Sequence, residues 1–402
     1  MRYRLRRCVK PVTHLINNGG PARGGSMASH ATDTTIHDIA RRLNVSSTTV
    51  WRALNGRPRV SPRTKQLILD EVARTGYRPS LVAQNLSSGR TQTLGVVVPT
   101  IANSVYAALV RAVEQAAFDR GYSIILCDTD FNFDREQQYV DLLMRRRVEG
   151  VLLIPFAKGT AADETHLSRL ARAGINVVCM QQRLPDSNLP QVAPDNFGAA
   201  RDMTRHLIQL GHRRIAFFHG GLPPWYVSMC ERYEGYRAAL AEAGLEEDPR
   251  LVVEAGSFES ILVGEEGAFY SDRVTALLGS DDRPTAVFAP VDVLAIKVMA
   301  AIGALGMRVP EDVAVAGFDD IKMSAYTDPP LTTVRHPSSA VGGRAAELLF
   351  ERLAGGDDGA TAGAGAGPER VPCELVIRRS CGASKHHVEA IDQAPRGQAP
   401  GG

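Results

Sequence analysis

A two-part α/β chain is predicted: an all-α head carrying a helix-turn-helix, then a two-lobed core of parallel sheets with flanking helices. Three observations lead there. Residues 35–78 hold three short amphipathic segments, each with its own start and stop signals. From Leu94 onward, short apolar runs alternate with longer helical stretches, the pattern of repeated βα units. That stretch is too long for one such sheet, so it divides into two lobes.

The head is justified element by element. Residues 1–33 show no periodicity and read as a disordered basic extension; Met27, with its polar lead-in, is an alternative natural start. Thr35 caps the first helix, and Asp38 favours its positive end. Ile36, Ile39, Ala40 and Leu43 fall at i, i+3, i+4 and i+7 and form one apolar face. Asn44-Val45 makes a tight turn. Ser46 caps a second helix whose inner face carries Val50 and Leu54. Asn55-Gly56 stops it, because glycine tolerates the left-handed conformation past a helix end. Ser61-Pro62 opens a third helix and Gly76 closes it. Two helices joined by a short turn, the second polar, make a helix-turn-helix. Its exposed residues are Ser47, Thr48, Thr49 and Arg52. Small residues let a helix sit close in a major groove, and arginine reaches guanine. The same spacing also fits a three-helix module that binds protein.

Residues 79–90 allow one to two helical turns, marginal alone in water. The candidate core strands are 94–98, 122–127, 150–154, 175–180, 214–219, 285–289 and 312–317, with a last strand over 371–378. Amphipathic segments include 105–120, 135–147, 197–210, 231–243 and 291–304. In open parallel sheets, ligands bind beyond the carboxyl ends of strands. Those ends here carry Asn103, Asp128, His219 and Phe318-Asp319-Asp320. Residues 355–368 are low-complexity and read as a flexible loop.

Charge and composition narrow the function. The chain of 402 residues is 44% hydrophobic and 22% charged, enough to bury a sizeable core. Residues 1–30 hold six basic and no acidic side chains, and residues 31–90 hold ten against four. The remainder holds 30 basic and 40 acidic side chains, so a basic head sits on an acidic body. Polyanion binding is then confined to one end. Six cysteines without a CxxC pair argue against a zinc site and a disulfide scaffold, and suit a reducing cytoplasm. No apolar run approaches the ~18–20 residues that span a bilayer. No GxxxxGK[ST], HExxH or Gly-rich turn after the first strand marks a common enzyme. No cofactor or metal is expected.

The motifs together resemble a known family. Thr35-Ile-His-Asp38-Ile-Ala40, Asn44-Val45-Ser46, Thr49-Val50, Arg52-Ala53-Leu54-Asn55-Gly56 and Gly76-Tyr77-Arg78-Pro79 resemble the head of lac repressor/galactose repressor-type transcription factors. Asp195-Asn196, Leu210-Gly211-His212-Arg213-Arg214, Arg232-Tyr233-Glu234-Gly235-Tyr236, Gly317-Phe318-Asp319-Asp320 and Pro330-Leu331-Thr332-Thr333 resemble that family's effector-binding core, related to periplasmic binding proteins. The resemblance covers roughly residues 34–380, in the family's order.

It implies a cytoplasmic, non-enzymatic repressor that binds a pseudo-palindromic double-stranded operator as a homodimer and answers to a small, carbohydrate-like effector. A corepressor-dependent regulator is the alternative, and a solute-binding module without specific DNA readout is a further one. The implied parts are a head over 34–78, a hinge helix and linker over 79–91, and a core over 92–380. The lobes are expected at about 92–190 with 336–354, and at 191–335 with 369–380, before a disordered tail from 381. By matching positions, Ser47, Thr48 and Arg52 read base edges, while Ser46 and Thr49 position the helix on phosphates. Asn55 and Ala83 join the DNA-binding set, and Leu86 stands at the position of the family's minor-groove wedge. Trp51 replaces the usual serine and either packs on the sugar-phosphate backbone or against the third helix. For the effector, Arg232 and Asp319 match the family's ligand arginine and aspartate. Asn103, Tyr106, Asp128, Trp225 and Asp292 complete the candidate set; for Asp292 the start of a helix is an equally good reason. Val291 replaces the family's asparagine, and Gln occupies the usual Asp position in Gln181-Gln182-Arg183. These departures favour a ligand less polar than, or differently arranged from, a common hexose. No leucine heptads follow the core, so a dimer rather than a tetramer is expected.

Overall fold

A computed structural model describes residues 34–54, 56–77, 90–155, 165–184, 187–222, 226–257, 259, 261, 271–355 and 368–383. The chain divides into two compact units, residues 1–89 and 90–402.

The head contains α1 (Ile36–Arg42), α2 (Ser47–Leu54) and α3 (Pro62–Thr75). Thr35 and Asp38 form a reciprocal capping box: the Asp38 amide donates to the Thr35 hydroxyl, and the Thr35 amide donates to the Asp38 carboxylate. Asn44 takes φ +50° in the turn between α1 and α2. Ser46 caps α2 by accepting from the Thr49 amide at 3.1 Å. Ser61 caps α3, Pro62 stands at its first turn, and Gly76 ends it at φ +65°, a conformation that costs other residues more. Ile39, Ala40, Val50, Ala53 and Ile68 are buried together, with Ile36, Leu43 and Leu54 packed on them. The apolar faces read from the sequence are therefore the ones that meet. Glu71 on α3 ties the unit's rim through Arg42 at 3.2 Å and Arg74 at 2.7 Å.

The second unit begins with β1 (Thr93–Val98), α4 (Ser104–Phe118), β2 (Ser123–Asp128), α5 (Phe133–Arg146), β3 (Gly150–Leu153), α6 (Thr165–Arg172), β4 (Asn176–Met180) and β5 (Gln191–Pro194). It continues with α7 (Asn196–Gln209), β6 (Ile215–His219), α8 (Val227–Glu242), β7 (Val252–Glu254), α9 (Ser271–Leu278), β8 (Ala286–Phe288), α10 (Asp292–Ala304) and β9 (Ala314–Ala316). A short 3-10 turn over Lys322–Ala325 leads to β10 (Thr333–Arg335), α11 (Ser338–Gly355), β11 (Glu369–Val371) and β12 (Glu374–Val376).

Two parallel sheets define two lobes. The first runs β11-β5-β4-β3-β1-β2 and the second β7-β6-β8-β9, with β10 and β12 as a separate antiparallel pair. Strand alternation feeds two cores per sheet. On β1, Leu94, Val96 and Val98 face the cluster of α4 and α11, while Val97 faces the cluster of α5 and α6. In the second lobe, Ala216 and Phe218 pack with α10, and Ile215 and Phe217 pack with α7 and α8.

The chain crosses between lobes at 194–196, 335–338 and 371–374, and a proline stands at each crossing: Pro194, Pro337 and Pro372. A proline fixes φ and donates no hydrogen bond, which ends a strand and stiffens a crossing.

The lobe boundaries differ from expectation. Residues 191–194 and 369–371 belong to the first sheet, not the second lobe, because β5 pairs with β4 and β11 pairs with β5, both in parallel. The strand expected over 371–378 is likewise two short strands in different sheets, broken at Pro372. The expected extension before residue 34, the hinge and linker over 79–91 except its last two residues, most of the loop at 355–368 and the tail beyond 383 lie outside the described residues. At 381, the expected start of the tail, Cys381 is fully buried and the chain still packs in the core.

Candidate effector cleft and nucleic-acid-facing helix

On α2, Ser46 and Thr48 are exposed, and Ser47, Thr49, Trp51 and Arg52 are half-buried. The opposite face, Val50 and Ala53, is buried. This division follows from the helical period: the small polar residues share a face only because the apolar ones share the other. The Ser46 and Thr49 hydroxyls lie 2.9 Å apart, and the Ser47 hydroxyl lies 2.9 Å from His37 Nδ1 on α1. The polar row is thus held in place by its neighbours. Asn55, Ala83 and Leu86 lie outside the described residues.

The candidate cleft is built between the lobes at the carboxyl ends of their strands. Asn103, Val105, Tyr106 and Gln181 come from the first lobe; Tyr226, Ser228, Met229, Arg232, Val291 and Asp319 come from the second. The space between them is about 20 Å³, close to the room one water molecule needs. Hydrogen bonds span it: the Tyr106 and Tyr226 hydroxyls meet at 3.2 Å, and the Ser228 amide donates to Gln182 Oε1 at 3.2 Å.

Arg232, on α8, is only 2% exposed. Its Nε donates to Asn196 Oδ1 at 3.0 Å, its Nη1 donates to the Pro290 carbonyl, and Asp319 Oδ1 lies 3.5 Å from Nη1. Its guanidinium lies over the Phe318 ring at 3.6 Å. The planar fork is thereby fixed in orientation. Burial pushes the Asp319 carboxyl up, to about 8; Arg232 opposes the shift and Asp292 adds to it. Burial likewise raises the Tyr106 phenol to about 12. Asp319 itself takes φ +121°, an uncommon conformation for a non-glycine residue. Gln181 also has positive φ, is 5% exposed, and its Oε1 has no hydrogen-bond partner among the described residues. A buried polar atom without a partner is costly, and such atoms concentrate where a ligand is met.

Two expected cleft residues are elsewhere. Asp292 does not reach the cavity: its carboxylate accepts from Ser324 Oγ at 2.6 Å, Thr333 Oγ1 at 2.5 Å and the Ile321 amide at 3.0 Å. A fully buried carboxylate must satisfy its oxygens, and this one holds the segment that carries Asp319. Burial raises it to about 6, with those hydrogen bonds opposing. Asp128 braces its own loop by accepting from the Ile101 amide and the Asp130 amide, each at 3.0 Å. Asn103 does line the cavity, although its Oδ1 caps α4 through the Val105 amide at 2.8 Å. Trp225 lies outside the described residues. Tyr226, Ser228 and Met229 were missed by sequence reading. They follow the carboxyl end of β6, so the rule that found Asp319 would have found them too.

A helix-turn-helix head followed by a periplasmic-binding-protein-like core defines a regulator of transcription rather than a transporter's solute receptor. Bacterial regulatory proteins of the lacI family match residues 35–80, and the periplasmic binding protein-like domain matches residues 204–381. The catabolite control protein A of Priestia megaterium is 34% identical over 322 residues, covering 80% of this chain and 93% of that protein. The HTH-type transcriptional repressor PurR of Mannheimia succiniciproducens is 34% identical over 346 residues, covering 86% and 98%. Among solved structures, the transcriptional regulator CelR in complex with cellobiose is 31% identical with a TM-score of 0.59, covering 86% of this chain and 99% of that one. The lac repressor dimer bound to operator and the anti-inducer ONPF has the same fold, with a TM-score of 0.71 at 24% identity, covering 86% and 98%. The chain belongs to the lacI family of DNA-binding transcriptional regulators.

Proposed function

We propose that this chain is a ligand-responsive repressor that binds a pseudo-palindromic operator as a homodimer and is released by a small-molecule effector. The observation that carries the reading is the buried Arg232–Asp319 pair, closed between two lobes, in a chain whose α2 presents a polar row. Ser47, Thr48 and Arg52 read base edges, Ser46 and Thr49 take phosphates, and Trp51 lies against the backbone beside them. Leu86 of each hinge wedges the central step.

The effector takes its polar contacts from Arg232, Asp319, Gln181 and Asn103, with Tyr106 and Tyr226 as walls. A cavity of about 20 Å³ admits no metabolite, so binding parts the Tyr106–Tyr226 and Gln182–Ser228 contacts and moves the lobes. That movement couples ligand to dimer. The effector is carbohydrate-like but less polar than a common hexose, because Val291 and Met229 supply apolar wall where more hydrogen-bonding groups would otherwise stand. The related CelR was solved with cellobiose, which supports a carbohydrate class. Exposed apolar side chains support dimerisation: Phe118 is 70% exposed, Met323 59% and Tyr326 83%, and Leu126 lies on the edge strand β2. An operator places the protein in the cytoplasm.

The test is selection from random duplex DNA with the purified chain, followed by affinity against salt. Enrichment of an inverted repeat around a central CG step, with a steep salt slope, is expected. Salt-sensitive binding with no enriched site would remove specific readout and leave only a basic head.

A further inference from the structure

We propose that the edge of the first lobe where the chain enters at Arg90 is a second phosphate-binding surface, which holds duplex flanking the operator. The inference rests on the reading of the head as operator-binding.

In a parallel sheet every helix ends, and every next strand begins, on one edge. Here that edge gathers the start of β1 and the turns α4–β2, α5–β3 and α6–β4. Hydrogen bonds lace the entering segment into it. The Ser123 amide donates to the Gln92 carbonyl at 2.9 Å, the Thr91 hydroxyl to the Arg147 carbonyl at 2.8 Å, and the Gln92 amide to Glu149 at 2.8 Å.

The charge on this edge runs against that of the core. Residues 91–402 hold 30 basic and 40 acidic side chains. Along these turns stand Arg90, Arg120, Arg145, Arg146, Arg147 and Arg172, against Asp119 and Glu149, while Glu369, which opens β11 on the same edge, is paired with Arg344 at 2.9 Å. Glu149 is committed to Arg90 at 3.0 Å, and Asp119 accepts from Gln115 at 2.9 Å. Arg145, Arg146, Arg147 and Arg172 are exposed and form no salt bridge among the described residues.

The helix dipole accounts for a cation in the last turn of α5 or α6. It does not account for a run of three that continues through the left-handed C-cap at Arg147. Guanidinium groups presented together to solvent suit phosphate oxygens, which they take in a planar fork. Twelve residues, 78–89, join Tyr77 to Arg90, so head and core are tethered covalently to each other. A head bound to DNA therefore keeps the arginines at a raised effective concentration near the same duplex. The contact carries no sequence information; it adds affinity and salt dependence on long duplex.

The experiment compares the full-length wild type with an Arg145→Gln, Arg146→Gln, Arg172→Gln variant. Two probes are used: the enriched inverted repeat as a minimal duplex, and the same repeat with flanking sequence added at both ends. Wild type should bind the longer duplex more tightly, with a steeper salt slope. The variant should lose that gain, its slope falling by up to about 3 per protomer, and should match wild type on the minimal duplex. Equal behaviour of the two proteins on both duplexes overturns the inference and leaves the operator reading standing. Equal weakening on both duplexes, with a lowered melting temperature, also overturns it and assigns the arginines to helix capping. Failure of the wild type to hold the repeat at all removes both readings.

Discussion

At the residue scale, Arg232 and Asp319 show how burial sets chemistry. Arg232 is oriented by Asn196, by the Pro290 carbonyl and by the Phe318 ring, so little freedom remains to be lost on binding. Asp319 is held near 8 by desolvation even with a guanidinium beside it. The stability consequence has a definite sign. A carboxyl raised above its unfolded value, about 3.9, binds its proton more tightly in the native state. Its contribution is fully present below the unfolded value and is lost as pH rises to about 8. Stability should therefore fall across that window by up to about 1.4 kcal/mol per pH unit. Asp292 adds a change of the same sign as pH rises to about 6. An Asp319→Asn chain should show a flatter profile above pH 6 in urea midpoints measured at a series of pH values. Identical slopes for the two proteins would mean that Asp319 is not the group responsible.

At the scale of elements, the packing of α7 on α8 decides whether Arg232 is placed at all. Gly235, one turn beyond Arg232 on α8, has no room for a side chain. A Cβ there would stand 2.3 Å from the Phe197 carbonyl oxygen and 2.9 Å from the Arg201 amide nitrogen, both backbone atoms. Gly235→Ala should cost about 1–3 kcal/mol despite alanine's better helix propensity, since backbone cannot step aside as a flexible side chain can. A lowered melting midpoint checks it; an unchanged one would show that the two helices have slack. The elements with strong local signals were legible in the sequence. The three head helices carry caps and apolar faces, the second and third also glycine stops, and α5 and α7 repeat their apolar faces over several turns. The strands β5, β7 and β10 were not legible. Each has only three or four residues, and each is a strand by virtue of its neighbour. Asp292 misled for a similar reason: its helix-start position was plain, but its partners Ser324 and Thr333 lie 32 and 41 residues away in sequence.

At the scale of the whole molecule, the proposed function requires ligand and operator to compete through the relation of two lobes and two protomers. If lobe movement carries the signal, coupling must be reciprocal: the effector weakens operator binding and the operator weakens effector binding by the same factor. A coupling of about 1–3 kcal/mol is the usual range. Titrating the effector with and without operator duplex measures it, and equal affinities would sink the mechanism. Light scattering at micromolar concentration should give a dimer. A tetramer would require an assembly surface beyond the apolar side chains named above.

Family resemblance put forward Arg232 and Asp319 as ligand residues; the sequence by itself determined the head, the βα alternation and the basic entry end. These follow from local rules: helix caps act within a turn, apolar period within an element, and charge is a count. Only the tertiary structure decided that β5 and β11 complete the first sheet, that Asp292 and Asp128 serve their own surroundings, that Gln181 lies across the closed lobes from Arg232 and Asp319, and that Tyr226 meets Tyr106 there. Those outcomes turn on which distant groups are brought within hydrogen-bond reach. Burial then fixes their cost, and no local pattern encodes the burial of a polar group.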